Sequence, residues 1–370
     1  MKKRLIYFFL LILIQTGFAQ NNLSWKGYFS YNNIKDLSVS PTAIFAASEN
    51  AVFSKKIATS EIKTTNTIDG LSGQTISSLY YSVAANKTLV GYENGLMIVI
   101  NDADGSMLNV VDIINKQLPA NIKKINHFME YEGIVYVSCD FGIVQFNLAT
   151  MQFGDTYFIG DNGAETIVTQ TTISNGYIYA ATNTGIRRAD ILNKNLIDFS
   201  QWALIVGGSW SSIESFGTEL IAVDSSGNIN KFNTTTNAFI GYSALSQPAV
   251  DTRVTGNYLI ITTANSIYIY NNQLIIVRQI NSNQILGITS SFSCAASIDD
   301  TIYIGTTADG LITTTISVSS AFENSTPAGP TSNNVFAIES ASTSLWVVYG
   351  NYDVNYNPYT GGLKSYGISK

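Results

Sequence analysis

The chain has 370 residues, of which 45% are hydrophobic and only 12% charged, and its formal net charge is −6. That length and apolar content can fill one large core or two smaller ones, which excludes a disordered chain. A single histidine (His127) and two cysteines leave a His-ligated zinc site, a four-cysteine cluster and a His-based nucleophile triad short of residues, and 20 Lys and Arg against 26 Asp and Glu offer no basic face to nucleic acid.

Met1–Arg4 is a basic start, Leu5–Ile14 is an uninterrupted apolar run, and Gly17-Phe18-Ala19 puts small residues before a cut after Ala19. This pattern predicts a secretory signal peptide over 1–19. The apolar run is too short to span a bilayer, no cysteine sits at the cut to carry a lipid, and no later stretch reads as a membrane span. The mature chain is therefore expected to be exported and free of a transmembrane segment. Cys139 and Cys294 both sit in small, apolar, strand-like stretches, and two separately buried thiols are expected rather than a disulfide.

After the signal, Trp25–Ser30 reads as a lone strand before a first inner strand at Ile34–Leu37. From there the chain repeats one phrase: an apolar run, small residues, a turn, then a second apolar run. It occurs at Ile44–Phe53, Leu89–Leu96, Val135–Ile143, Ile178–Ile186, Leu220–Ile229, Leu259–Ile267 and Ile302–Leu311. The turn glycine or its stand-in falls at 51, 95, 142, 185, 227, 266 and 310, so the intervals run from 39 to 47 residues. A strand-built period of this length is the signature of a β-propeller. Asn-Gly, Asp-Gly and Ser-Gly supply the positive φ of tight hairpins, and Val, Ile, Tyr and Thr fill the flanking strands. The second repeat parses into an inner strand at Ile76–Leu79, a middle hairpin of Lys87–Tyr92 and Leu96–Ile100, and an outer strand at Met107–Ile113. No capped amphipathic run of helical length is present.

An eighth phrase begins at Leu345–Gly350, but its turn is enlarged and the second run resumes only at Gly361-Gly362-Leu363. That difference favours a seven-bladed ring of four-stranded antiparallel blades over 20–320. Trp25–Ser30 is then available to complete the seventh blade. Residues 321–370, opening at Phe322–Pro327, become the truncated first blade of a second propeller. One eight-bladed ring is the alternative. On either reading the chain is expected to be a piece of a longer protein.

Asp69-Gly70-Leu71-Ser72 before Ile76-Ser77, followed by an Asn-Gly turn, resembles the blades of two-component-regulator propellers. Ser30–Ile34, Ala46–Phe53, Val90–Leu96, Thr156–Gly160 and Leu345–Gly350, in that order, resemble the PorZ family, cell-surface propellers of the type IX secretion system of Bacteroidetes. The resemblance implies two successive propellers, a C-terminal sorting domain, and a surface complex with PorU-, PorV- and PorQ-like proteins. It also implies binding of anionic lipopolysaccharide and its presentation to the sortase.

The residues themselves name no catalytic group, cofactor site or metal ligand, and leave the ligand-binding residues open. His127, on a predicted inner strand, lacks the partners of a triad and reads as packed or channel-facing. Asn101-Asp102-Ala103-Asp104-Gly105 resembles half a calcium loop but lacks the closing Glu, so a hairpin turn is expected. Asp299-Asp300 reads as another turn, although Asp300-Thr301-Ile302 resembles a Bacteroidetes O-glycosylation site. Trp202 and Trp210 beside Gly207-Gly208, and Tyr352, Tyr356 and Tyr359 in a loop, suit either stacking on sugars and partners or ordinary blade packing. The expected function is a non-enzymatic binding and scaffold protein at the outer-membrane surface. The alternatives are a periplasmic glycan-sensing propeller of a hybrid two-component regulator and, with less support, a propeller glycosidase or lyase.

Overall fold

The computed structural model describes residues 27–317, 321–342, 344–352, 358–359 and 368–369. The expected signal peptide lies outside them. Seven four-stranded antiparallel sheets follow one another along the chain. Blade 1 holds β1 (Asp36–Val39), β2 (Ala43–Ala47), β3 (Val52–Lys56) and β4 (Ile62–Thr65). Blade 2 holds β5 (Ile76–Ser82), β6 (Lys87–Tyr92), β7 (Met97–Asn101) and β8 (Met107–Val110). Blade 3 holds β9 (Ile125–Tyr131), β10 (Ile134–Cys139), β11 (Gly142–Asn147) and β12 (Gln152–Tyr157). Blade 4 holds β13 (Val168–Ser174), β14 (Tyr177–Thr182), β15 (Gly185–Asp190) and β16 (Ala203–Gly207). Blade 5 holds β17 (Trp210–Phe216), β18 (Glu219–Asp224), β19 (Asn228–Asn233) and β20 (Ala238–Ala244). Blade 6 holds β21 (Ala249–Thr255), β22 (Tyr258–Thr263), β23 (Ser266–Tyr270) and β24 (Ile276–Asn281). Blade 7 holds β25 (Phe292–Ile298), β26 (Thr301–Thr306), β27 (Leu311–Thr315) and β28 (Glu323–Asn324). Blade 2 follows the predicted parse, except that its outer strand stops at Val110 and Asp112–Asn115 turns into one short helix.

The first strand of each blade is innermost, and each packs on the first strand of the next, with β25 returning to β1. The ring therefore has seven blades, and the eight-bladed alternative is excluded. Closure differs from expectation in one respect. The outer strand of blade 7 is β28, from its own repeat, pairing Ile312 with Asn324 and Thr313 with Glu323. The segment expected to open a new unit thus supplies this edge, and the sheet runs past residue 320. Gly27–Ser30 forms no strand; Ser30 instead donates its backbone N–H to Asn333 Oδ1 at 2.9 Å.

The core is divided into seven clusters, each shared by two neighbouring blades. Strand alternation explains this. In β26, Ile302 and Ile304 pack toward blade 6, while Tyr303 packs toward blade 1. Both faces of a blade are covered, so its middle strands read as unbroken apolar runs. Small residues sit where two blades approach most closely. A Cβ on Gly305 would lie 2.7 Å from both Cys294 Sγ and Ile34 Cγ2. A Cβ on Gly91 would lie 2.7 Å from Ile125 Cγ2. The ring closes on the same cluster of small residues, with Ile34 N–H donating to Thr306 O at 2.8 Å.

Beyond the ring, β29 (Val335–Ala341) and β30 (Ser344–Tyr349) form one further antiparallel pair, which Ile368–Ser369 extends.

Candidate functional site

Each inner strand from blade 2 to blade 7 carries a register irregularity near its start. In blades 2, 3 and 4 the irregularity falls at Ser77, Asn126 and Thr169. Each of these side chains donates to the carbonyl that opens the next blade: Ser77 to Ile125 O at 2.7 Å, Asn126 to Val168 O at 3.0 Å, Thr169 to Trp210 O at 3.1 Å. A bulge frees its residue from the ladder and re-aims the side chain. Here it aims at the neighbouring sheet.

Two further layers complete the inner wall. One holds Asp36, Ser78, His127, Gln170, Ser212, Asp251 and Cys294, at the third position of the inner strands (for Asp36, the equivalent position counted from Ile34). Two residues deeper stand Ser38, Tyr80, Met129, Thr172, Glu214, Arg253 and Ala296, one from each blade, and all seven line a central cavity of about 470 Å³. Wall side chains accept backbone N–H groups from the next blade. Asp36 takes Leu79 N at 2.7 Å, Ser38 takes Tyr81 N at 2.9 Å and Thr172 takes Ser215 N at 3.2 Å.

Arg253 is the centre of the wall's charge. Its Nε donates to Asp251 Oδ2 at 2.8 Å, and its Nη2 donates to Asp251 Oδ1 at 2.6 Å and to Asp36 Oδ1 at 2.8 Å. Its Nη1 donates to Leu37 O. Arg253 belongs to blade 6 and Asp36 to blade 1, so the guanidinium crosses blade 7, whose Cys294-Ala295-Ala296 is small enough to let it pass. Burial works against the charge of Arg253, but the Asp251 and Asp36 carboxylates outweigh it and hold its pKa well above the usual value. Burial raises Asp36, with Arg253 pulling the other way. Burial also pushes Glu214 up to about 8 against the pull of Arg253, and Gln170 Nε2 donates to Glu214 Oε1 at 2.7 Å. His127 is pushed down to about 3, first by burial and then by the Arg253 charge, and its Nδ1 is buried without a hydrogen-bond partner. Near neutral pH the imidazole is uncharged, and Glu214 holds its proton for most of the time.

The other residues singled out in the sequence fall elsewhere. Asn101–Gly105 is the turn between β7 and β8, closed by Gly105 N–H on Asn101 O at 2.7 Å, with Gly105 at φ +76°. Asp299 turns β25 into β26 at φ +51°, and Asp300 accepts Ser317 N at 2.9 Å. Thr301 begins β26 half-buried. Trp202 and Trp210 are both buried, donating to Leu196 O and Gly207 O, so neither presents a face to a ligand. Tyr352 and Tyr359 fall on short paired strands, and Tyr356 lies outside the described residues. Cys139 and Cys294 are free, buried and on different blades, as expected. Sequence reasoning placed His127 on its inner strand but missed Asp36, Gln170, Glu214, Asp251 and Arg253. Their signal was a polar or charged residue at the third or fifth position of the inner strand, recurring at the repeat spacing.

Residues 44–203, from blade 1 to the outer strand of blade 4, match the family described as the type IX secretion system PorZ N-terminal β-propeller domain. Over that stretch the propeller is similar to the PorZ N-terminal type. A solved PorZ, described as an essential bacterial surface component of the type IX secretion system of the human oral-microbiomic Porphyromonas gingivalis, superposes with a TM-score of 0.73 at 19% identity. That superposition covers 90% of this chain and 43% of the PorZ chain, so this chain spans less than half of that protein. The fold is also similar to the computationally designed Ika8 protein (TM-score 0.52, 11% identity, 78% of this chain and 97% of that one). BamB from Moraxella catarrhalis is similar at a TM-score of 0.51 and 14% identity, over 76% of this chain and 84% of that one. None of the curated proteins matches the sequence. No described helix is long and apolar enough to cross a membrane.

Proposed function

We propose that this chain is the first propeller of a PorZ-like surface component, a non-enzymatic binding and scaffold element of a type IX secretion system. In that role it stands on the outer-membrane surface with PorU-, PorV- and PorQ-like partners and presents anionic lipopolysaccharide to the sortase. The observation that carries this reading is the match of residues 44–203 to the PorZ propeller family.

The test is affinity capture from outer-membrane extracts with the full-length protein as bait. Recovery of PorU-, PorV- and PorQ-like proteins is the expected result, and their absence under conditions that preserve the membrane complex would sink the proposal. Lipopolysaccharide handling is tested separately, by comparing binding of anionic and neutral lipopolysaccharide to the purified protein. Equal binding of the two would remove that part alone.

A further inference from the structure

Blade 7 takes all four of its strands from its own repeat, so among the described residues no sheet combines the first and last repeats. The seam between blades 7 and 1 therefore has no shared strand. Two backbone bonds cross it: Ile34 N–H donates to Thr306 O and Gly310 N–H to Asn32 O, both at 2.8 Å.

Residues 325–334 run over this seam after β28. At the start of the segment, Thr326 Oγ1 accepts Leu311 N–H of blade 7 at 2.9 Å, and Lys55 Nζ of blade 1 donates to Ser325 Oγ at 2.8 Å. In the middle, Gly329 lies so close to the N-terminal segment that a Cβ there would stand 2.2 Å from Phe29 O. Asn32 Nδ2 donates to Thr331 O at 3.2 Å. Near the end, Asn333 uses both ends of its amide. Its Oδ1 accepts Ser30 N–H at 2.9 Å, and its Nδ2 donates to Glu49 Oε2 and Asn50 Oδ1, both at 3.2 Å. The hairpin beyond the ring is tied to the same segment. Tyr349 Oη accepts Thr331 N–H at 3.1 Å, and Gly350 N–H donates to Asn334 O at 3.0 Å. Pro327 and Pro330 each fix φ, which lowers the entropy lost when the segment orders. A linker between independent units makes few contacts with either, whereas this one is bonded to blade 7, to blade 1, to the N-terminal segment and to the hairpin.

We propose that residues 325–334 are a latch, which holds the seam shut from outside the sheets and locks the β29–β30 hairpin to blade 1 in one orientation. Seam and hairpin then open together rather than separately. This inference goes beyond the scaffold reading and does not rest on it. Asn333 is the central residue of the latch, because its amide offers an acceptor to the N-terminal segment and two donors to the β2–β3 turn of blade 1.

Hydrogen exchange of the purified chain, read by mass spectrometry, tests the latch. Asn333→Ala is expected to speed exchange by at least about fivefold, the scale of one lost hydrogen bond, in residues 29–34 and in β30 together. Exchange in β13 and β14, across the ring from the seam, should stay the same. Asn109→Ala, exposed on the outer strand of blade 2, should change nothing. Asn333→Asp keeps the acceptor for Ser30 but sets a carboxylate against Glu49, and should open both places at least as far as alanine does. Should Asn333→Ala unfold the ring, so that β13 and β14 also exchange fast, Lys55→Met is read instead. It removes the bond to Ser325 and leaves Asn333 intact, and the same joint rise is expected at about twofold or more. Unchanged exchange at both places, or a rise at one without the other, would overturn the proposal.

Discussion

The β25–β26 hairpin of blade 7 and the β29–β30 hairpin beyond the ring are built to the same local plan. Each pairs a seven-residue strand with a six-residue strand, and each has its register shift after the first pair. Ile302, Tyr303 and Ile304 in the first correspond to Leu345, Trp346 and Val347 in the second. Their burial differs sharply. Ile302 is 0% exposed, whereas Leu345 is 40% and Trp346 42% exposed. The hairpin is thus a local product of turn chemistry and β-branched strands, while its burial is supplied by the sheets on either side. Stability belongs to the interfaces between blades rather than to the blades.

The comparison can be broken most forcefully where the ring closes. Arg253→Met removes the cation that joins blade 6 to blade 1 and leaves Asp36 and Asp251 buried without their partner. Breaking a buried pair from one side costs about 3–5 kcal/mol. Urea denaturation should show that loss, with the slope of the transition unchanged. A loss near zero would mean that the apolar cluster between blades 7 and 1 closes the ring without the staple.

Paired truncations then compare the two hairpins directly. Ile302→Ala opens a cavity in the blade 6–7 core and should cost about 2–5 kcal/mol. Leu345→Ala, at the matching position, should stay within about 0.5 kcal/mol. Similar costs at the two sites would contradict the difference in burial.

The legibility of this molecule follows the same division. The apolar–small–turn–apolar phrase was readable because it is local: it depends on turn residues and on strands covered on both faces. Blade order came from its spacing, and the preference for seven blades over eight from the enlarged turn of the eighth phrase. The closure detail was not readable. The two-residue strand Glu323–Asn324 is too short to carry a pattern, and Trp25–Ser30 has a more strand-like composition than the edge that forms. The channel layers were missed for a different reason. Asp36, Glu214 and Arg253 are far apart in sequence, and only ring geometry makes them neighbours. Trp202 and Trp210 looked available for stacking because sequence does not show which aromatic residues the blades enclose.

Glu214 gives a pH signature to the ring. Its folded pKa, about 8, stands above the value of an unfolded glutamate, so between the two the folded state holds the extra proton. Stability is then greatest below the unfolded value and falls as pH rises through the folded one. The histidine runs the other way: its folded pKa of about 3 makes stability fall as pH drops below about 6.5. Above pH 7 the unfolded histidine is mostly neutral and its opposing slope is small, so between pH 7 and 8 thermal stability should decline by at most about 1.4 kcal/mol per pH unit. Glu214→Gln should flatten that decline, and a slope unchanged in the variant would show that another group is responsible.

The smallest expected effect concerns the stitches between blades. Thr169 joins blade 4 to blade 5 through its hydroxyl, whereas the same bulge position in blade 6 holds Val250, which is 53% exposed and has no hydroxyl. Blade 6 is held to blade 7 instead by Thr255 with Ser297 and by Ala295 N–H on Asp251, and to blade 1 by the arginine staple. Thr169→Val should therefore cost about 1 kcal/mol, the net worth of one such bond. Val250→Thr should gain up to the same amount, by letting a hydroxyl donate to the Phe292 carbonyl, because β21 and β13 shift register at the same place. Combined with Arg253→Met, Val250→Thr measures whether the stitch and the staple are alternatives. If they are, the gain from threonine grows once the arginine is gone. If the two changes simply add, each blade interface is secured independently, and the ring is held by seven separate contacts rather than by one closure.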